Sequence, residues 1–129
     1  MAAKIRTHIM FDGVAEEAMN YYVSLFPNSI VLDAQWYEEG DSKGKLYAGY
    51  FTLAGREFIC IDTPIKHDFG ITPAISIFVD CDSASEQEAL LESLSTGGEV
   101  FMPLDDYGFS RRFAWVQDRF GVSWQLNLP

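Results

Sequence analysis

The strongest constraint in this chain is an order of apolar patterns that runs through twice: a strand, a helix, then three strands. In the first pass, Ile5 to Phe11 reads as a strand, and Asp12 is placed to cap the helix after it. Glu16 and Glu17 suit the positive end of that helix's dipole. Ala15, Ala18, Met19, Tyr22, Leu25 and Phe26 recur at helical spacing and predict one apolar face. Pro27 ends the helix, because proline lacks an N–H and restricts the residue before it. Ile30 to Tyr37, Leu46 to Leu53 and Glu57 to Asp62 then read as strands. Glu38 to Lys45 is a polar loop, and Ala54-Gly55 makes a tight turn.

The second pass begins with a strand from Ala74 to Asp80. Ser83-Ala84-Ser85-Glu86 fits a capping box, in which Ser and Glu satisfy each other's free backbone donors. Gln87, Leu90, Leu91 and Leu94 predict a helical face, and Gly97-Gly98 ends it. Glu99 to Met102 is a short strand. Arg112 to Gln117 and Val122 to Asn127 form a hairpin around Asp118-Arg119-Phe120-Gly121. When Asp12 is laid on Asp80, Tyr22 meets Leu90, Val23 meets Leu91 and Phe26 meets Leu94. The expected fold is therefore α+β, a single domain of two βαβββ modules. Module one covers about 4–62, a linker carrying Pro64 and Gly70 covers 63–72, and module two covers about 73–129.

Size and charge narrow the function classes. At 129 residues, 48% of them hydrophobic, the chain can bury a core without a staple. Its formal net charge is -10, with 19 acids against 9 bases and no basic stripe. Affinity for nucleic acid comes largely from phosphates neutralised by Lys and Arg, so a nucleic-acid partner is not expected. Anionic membrane surfaces are disfavoured for the same reason. No apolar run approaches the roughly 20 residues of a membrane span, and the N-terminus carries no signal-peptide pattern. Cys60 and Cys81 sit in apolar runs without a CxxC pair, which fits a reduced, cytoplasmic chain with inert thiols.

Several stretches resemble a known family. Phe11-Asp12-Gly13, Ala15-Glu16-Glu17-Ala18, Tyr21-Tyr22 and Phe26-Pro27-Asn28-Ser29 resemble the opening of PhnB-like proteins. Phe51-Thr52-Leu53 before Gly55 resembles their middle, and Asp118-Arg119-Phe120-Gly121-Val122-Ser123-Trp124-Gln125 their end. The resemblance covers nearly the whole chain, and its last motif is the most specific. It implies membership of the vicinal oxygen chelate superfamily, with glyoxalase I, bleomycin- and fosfomycin-resistance proteins and extradiol dioxygenases. That in turn implies curved mixed sheets around a cleft and a homodimer. Some PhnB-like sequences carry a 3-demethylubiquinone 3-methyltransferase label. A methyltransferase of the usual kind needs a glycine-rich strand-to-helix loop and a parallel sheet, and the sequence offers neither.

In metal-using relatives, four cleft positions hold the metal, on the first and last strands of each module. The resemblance places them at His8, Ile59, Ser76 and Gln125, with Ala74 as the alternative to Ser76. Ile59 cannot ligate, and Ser76 is a poor ligand. That leaves one imidazole and one neutral amide, where a catalytic divalent ion usually takes three protein ligands. Asp62 and Cys60 share a strand with Ile59 but alternate to its other face. A metal at His8 and Gln125 is thus an incomplete set, and no cofactor is expected. Without a metal, His8 can still be a hydrogen-bond partner or general base. Trp36, Tyr50, Phe78 and Trp115 are candidates to line a ligand cavity, although core packing is the commoner role for an aromatic. His67 has no partner visible in sequence, Arg111 and Arg112 read as surface ion-pair residues, and Asp105-Asp106 reads as a loop charge pair. No Ser-His-Asp pattern, phosphate loop or HExxH motif occurs.

The expected function is small-molecule binding in the cleft, at His8, Gln125, Ser76, Ile59 and Trp115, with no reaction specified. One alternative is a metal-dependent isomerase, thiol transferase or dioxygenase. Another is a resistance-type protein that sequesters a cationic or aromatic compound, which the -10 charge favours slightly.

Overall fold

A computed structural model describes residues 3–129. The chain divides into two compact units between Phe69 and Gly70. Each has one helix and one four-stranded mixed sheet, so the fold is α+β with two βαβββ modules.

The first unit contains β1 (Thr7–Phe11), α1 (Ala15–Leu25), β2 (Ile30–Trp36), β3 (Leu46–Leu53) and β4 (Arg56–Asp62). Its strands lie in the order β1-β4-β3-β2. β1 runs parallel to β4, and the other pairs are antiparallel. Ala54 and Gly55 both have positive φ, as a two-residue hairpin between twisted strands requires. Ala15, Ala18, Met19 and Tyr22 bury one face of α1 against Phe51, Phe58 and Cys60. Gly49 allows that approach: a Cβ there would lie 2.6 Å from Met19 Sδ.

Asp12 is not the cap of α1. The N-cap is Val14, which offers no side-chain hydrogen bond. Buried Asp62 replaces it from the end of β4: one carboxylate oxygen accepts from Ala15 N at 2.9 Å, the other from Leu46 N at 3.1 Å. One carboxylate thus satisfies a helix-start donor and a strand-start donor.

The second unit contains β5 (Ser76–Asp80), α2 (Ala84–Ser95), β6 (Glu99–Asp105), β7 (Phe113–Gln117) and β8 (Ser123–Asn127). The order β5-β8-β7-β6 repeats the first sheet, again with one parallel pair, β5 with β8. Here the predicted local cap forms at Ser83, while Glu86 closes on the residue before it. Ser83 Oγ accepts from Glu86 N at 3.1 Å, while Glu86 reaches back to Asp82 N at 2.9 Å. Trp124, Leu126, Val116, Leu90 and Leu94 are buried between helix and sheet. Gln87 is buried with them, and its Nε2 donates to Arg112 O and Leu126 O at 2.9 and 3.1 Å. Gly98 follows the helix because its backbone touches the β7–β8 loop: a Cβ would lie 2.0 Å from Gln117 O.

Element identities match the sequence reading, and some ends move. β1 and β5 each start two residues later than predicted, and β6 continues to Asp105. Among the described residues, no helix is long and apolar enough to cross a membrane.

Candidate functional site

Strand alternation gives each sheet a face packed on its helix and a far face. In the second sheet the far face carries Ser76, Phe78 and Asp80 from β5, Ser123, Gln125 and Asn127 from β8, and Trp115 from β7. These side chains bond to one another. Trp115 Nε1 donates to Ser123 Oγ at 2.8 Å. Ser123 Oγ and Ser76 Oγ share a hydrogen bond at 2.6 Å, and Gln125 Nε2 donates to Ser76 Oγ at 3.1 Å. Further along, Asn127 Nδ2 donates to Asp80 Oδ1 at 2.9 Å and its Oδ1 accepts from Ser110 Oγ.

The relay has a chemical consequence. Indole N–H, two hydroxyls and one amide N–H supply the donors for three bonds. Whichever serine donates to the other, one hydroxyl hydrogen stays unused inside the relay. The amide faces Ser76 through nitrogen, which leaves Gln125 Oε1 as an acceptor beside it. Phe78 is the strand partner of Gln125 and 54% exposed, and Trp115 is its partner on the other side. Gln125 Oε1 therefore sits as an acceptor between two aromatic rings, and the half-buried Ser76 hydroxyl lies in the next row, beside fully buried Ser123.

The first sheet's far face has the matching row, His8–Ile59–Tyr50–Asp33, read across β1, β4, β3 and β2. The second sheet's row is Phe78–Gln125–Trp115–Met102. His8 is exposed and makes no hydrogen bond among the described residues. Ile59 packs between His8 and Tyr50.

The structure brings Ser76, Gln125 and Trp115 together by hydrogen bonds and pairs His8 with Ile59. Counting back from the strand end points to Ser76 as the partner of Gln125, but the register puts Phe78 there. Pairing with β8 sets that register, not distance from the helix. Trp36 does not join Tyr50: its Nε1 donates to Glu16 Oε1 of α1 at 2.8 Å. His67 stacks on Phe69, with ring centroids 4.7 Å apart. Arg112 pairs with Glu88 at 2.7 Å. Sequence reasoning missed the engagement of Ser123, which alternation from Gln125 puts on this face.

Both thiols are inert. Burial pushes Cys60 up to about 12, helped by the Asp62 charge, and Cys81 up to about 11 with Glu86, Asp80 and Asp82 adding to burial. Burial likewise raises the Tyr37 phenol, followed by Tyr47 and Asp62; its hydroxyl donates to Asp62 O at 3.0 Å.

Comparison with known proteins places this geometry. The model of the 3-demethylubiquinone-9 3-methyltransferase family matches residues 3–127. A Bacillus cereus structure, described as a putative 3-demethylubiquinone-9 3-methyltransferase, PhnB protein, is 43% identical. The match covers 98% of this chain and 100% of that one, with a TM-score of 0.95. The chain belongs to this PhnB-like family. A Pseudomonas aeruginosa protein is similar at 26% identity and a TM-score of 0.83, over 98% of both chains. A fosfomycin resistance protein of Listeria monocytogenes shares the fold at 9% identity and a TM-score of 0.64, over 100% of this chain and 93% of that one. That is the vicinal oxygen chelate fold. No curated protein matches the chain.

Two groups that these relationships imply do not fit the residues present. A methyl donor bound in the usual way needs a glycine-rich strand-to-helix turn. Asp12-Gly13-Val14 has one glycine, Cys81-Asp82-Ser83 has none, and each sheet has one parallel pair. For a metal, the four positions offer an imidazole, an alkyl group, a hydroxyl already bonded twice and an amide oxygen. No group of three His, Cys, Asp or Glu able to hold a metal occurs among the described residues.

Proposed function

We propose that this PhnB-like protein binds a small, flat, neutral organic molecule on the far face of its second sheet. The observation that carries the reading is the acceptor Gln125 Oε1 between Phe78 and Trp115, with the half-buried Ser76 hydroxyl, a free donor when Ser123 donates to it, bonded to the same amide. An amide or lactam edge presents the complementary acceptor and donor, and its plane stacks on the aromatic rings. Ser76, Gln125 and Trp115 would contact the ligand. His8 and Ile59 hold the corresponding row of the first sheet.

A thermal-shift screen of neutral amides and lactams tests this. A hit should lose its stabilisation in both Ser76→Ala and Gln125→Ala. A hit that persists in both variants removes the site. Recovery of the bound compound unchanged after long incubation supports sequestration, and chemical conversion makes the protein an enzyme.

A homodimer belongs to the same reading. Support comes from Ile30 and Trp36, exposed along β2 at an edge of the first sheet. Light scattering tests it: a monomer at micromolar concentration rejects the proposal. A cytoplasmic location fits the two unpaired cysteines. Fractionation of cells that make the protein would check it, and recovery outside the cytoplasm would reject it.

A further inference from the structure

The first sheet has a cavity of about 250 Å³ that the reading above does not use. Arg6, Leu32, Asp33, Tyr50 and Phe58 line it, together with the Lys4–Glu57 pair. Two cations, Lys4 and Arg6, and two carboxylates, Asp33 and Glu57, lie around it, and only Lys4 and Glu57 meet. Glu57 is held by Lys4 Nζ at 2.8 Å. Asp33 accepts from Ala34 N at 2.9 Å and from Gln35 Nε2 at 3.3 Å. Arg6 makes no ion pair among the described residues; its Cζ stands 5.9 Å from the centroid of the Tyr50 ring. The Tyr50 hydroxyl has no hydrogen-bond partner among the described residues either.

A guanidinium resting on an aromatic ring keeps its planar fork of donors free. We propose that this cavity is an anion site for a small organic carboxylate. The Arg6 guanidinium and the Tyr50 hydroxyl bind the carboxylate oxygens, and the acid's hydrocarbon part lies against Leu32. A carboxylate suits one unpaired guanidinium, because two coplanar oxygens meet two parallel N–H groups and one charge meets one charge. A dianionic phosphate would carry a second charge towards Asp33 and Glu57. The cavity is smaller than the roughly 300 Å³ and more of drug-sized sites, which calls for a small acid. The net charge of -10 does not prevent binding, since charges beyond about 8 Å are largely screened at physiological salt. None of its lining residues belongs to the second sheet's relay.

The test is an NMR titration of the isotope-labelled full chain with benzoate and, in parallel, inorganic phosphate. Benzoate should shift the Tyr50 and Asp33 amides and the Arg6 Nε–H saturably, with phosphate at least about tenfold weaker. Arg6→Gln should weaken benzoate about tenfold or more, and Tyr50→Phe by a smaller factor, with the remaining spectrum unchanged. Absence of saturation at about 10 mM benzoate, where a 1 mM ligand would be mostly bound, overturns the proposal. So do shifts undiminished in Arg6→Gln, phosphate binding as tight as benzoate, or shifts confined to Trp115 and Gln125. Failure of the amide and lactam screen alone leaves the Tyr50 shifts standing, so the two readings fail separately.

Discussion

The far faces of the two sheets occupy the same place in the same strand order, yet they treat polar groups in opposite ways. On the second sheet, Trp115, Ser123, Ser76 and Gln125 are hydrogen-bonded to one another. On the first, Arg6, His8 and Tyr50 leave their polar groups without hydrogen-bond partners among the described residues. The helix-packed faces differ far less: both bury aromatic and aliphatic side chains, and both rely on a buried aspartate. Asp62 holds Ala15 N and Leu46 N, while Asp118 holds Phe120 N, Val122 N and Trp124 Nε1. A repeated module can thus keep its packed side and vary the other, because far-face residues contribute little to the core.

The largest effects should come from the shared side. Asp62→Ala and Asp118→Ala should each cost about 3 kcal/mol, since each orphans buried donors. Urea denaturation measures both, and a small loss in only one would break the parity of the packed faces. Next comes the contrast between far faces. Ser123→Ala should cost about 1–2 kcal/mol by stranding the Trp115 indole N–H. His8→Ala should stay within about 0.5 kcal/mol. Equal losses in the same denaturation series would erase the distinction drawn here.

Cys60 gives no pH-dependent effect near neutrality, and its contribution shows only in alkali. Its thiol is raised from 9.0 to about 12 in the folded chain, so the unfolded chain ionises first as pH rises. The contribution is complete below pH 9 and is lost progressively towards 12. Cys60→Ala should flatten that part of the stability–pH curve. Cys81, raised to about 11, should produce a slope of the same sign over a narrower pH range. Iodoacetamide at neutral pH should label neither thiol in the folded protein.

Periodicity carries the element order, since helix and strand spacings differ and Pro27 and Gly97 mark ends. It also assigns faces correctly: Trp124 and Leu126 pack inward while Ser123 and Gln125 turn away. Register is harder to read. Phe78 lies beside Gln125 through pairing between strands far apart in sequence, which a count along β5 does not encode. Asp62 shows the same limit. Asp12 has the right residue type in the right local place for a cap, but the carboxylate that meets the first amide of α1 comes from 47 residues away. Arg6 carries no sequence signal of its own; its cavity depends on three other strands.

The two helix starts carry a consequence for the order of folding. α2 has its start signal within its own first turn, from Ser83 to Glu86, so it can begin before any sheet exists. α1 borrows its signal from the far end of its module and must wait for β4 to arrive. Pulse-labelled hydrogen exchange during refolding should therefore protect the Glu86 amide before the Ala15 amide. Two copies of one plan would then follow different clocks, one timed by local chain and the other by a long loop closure.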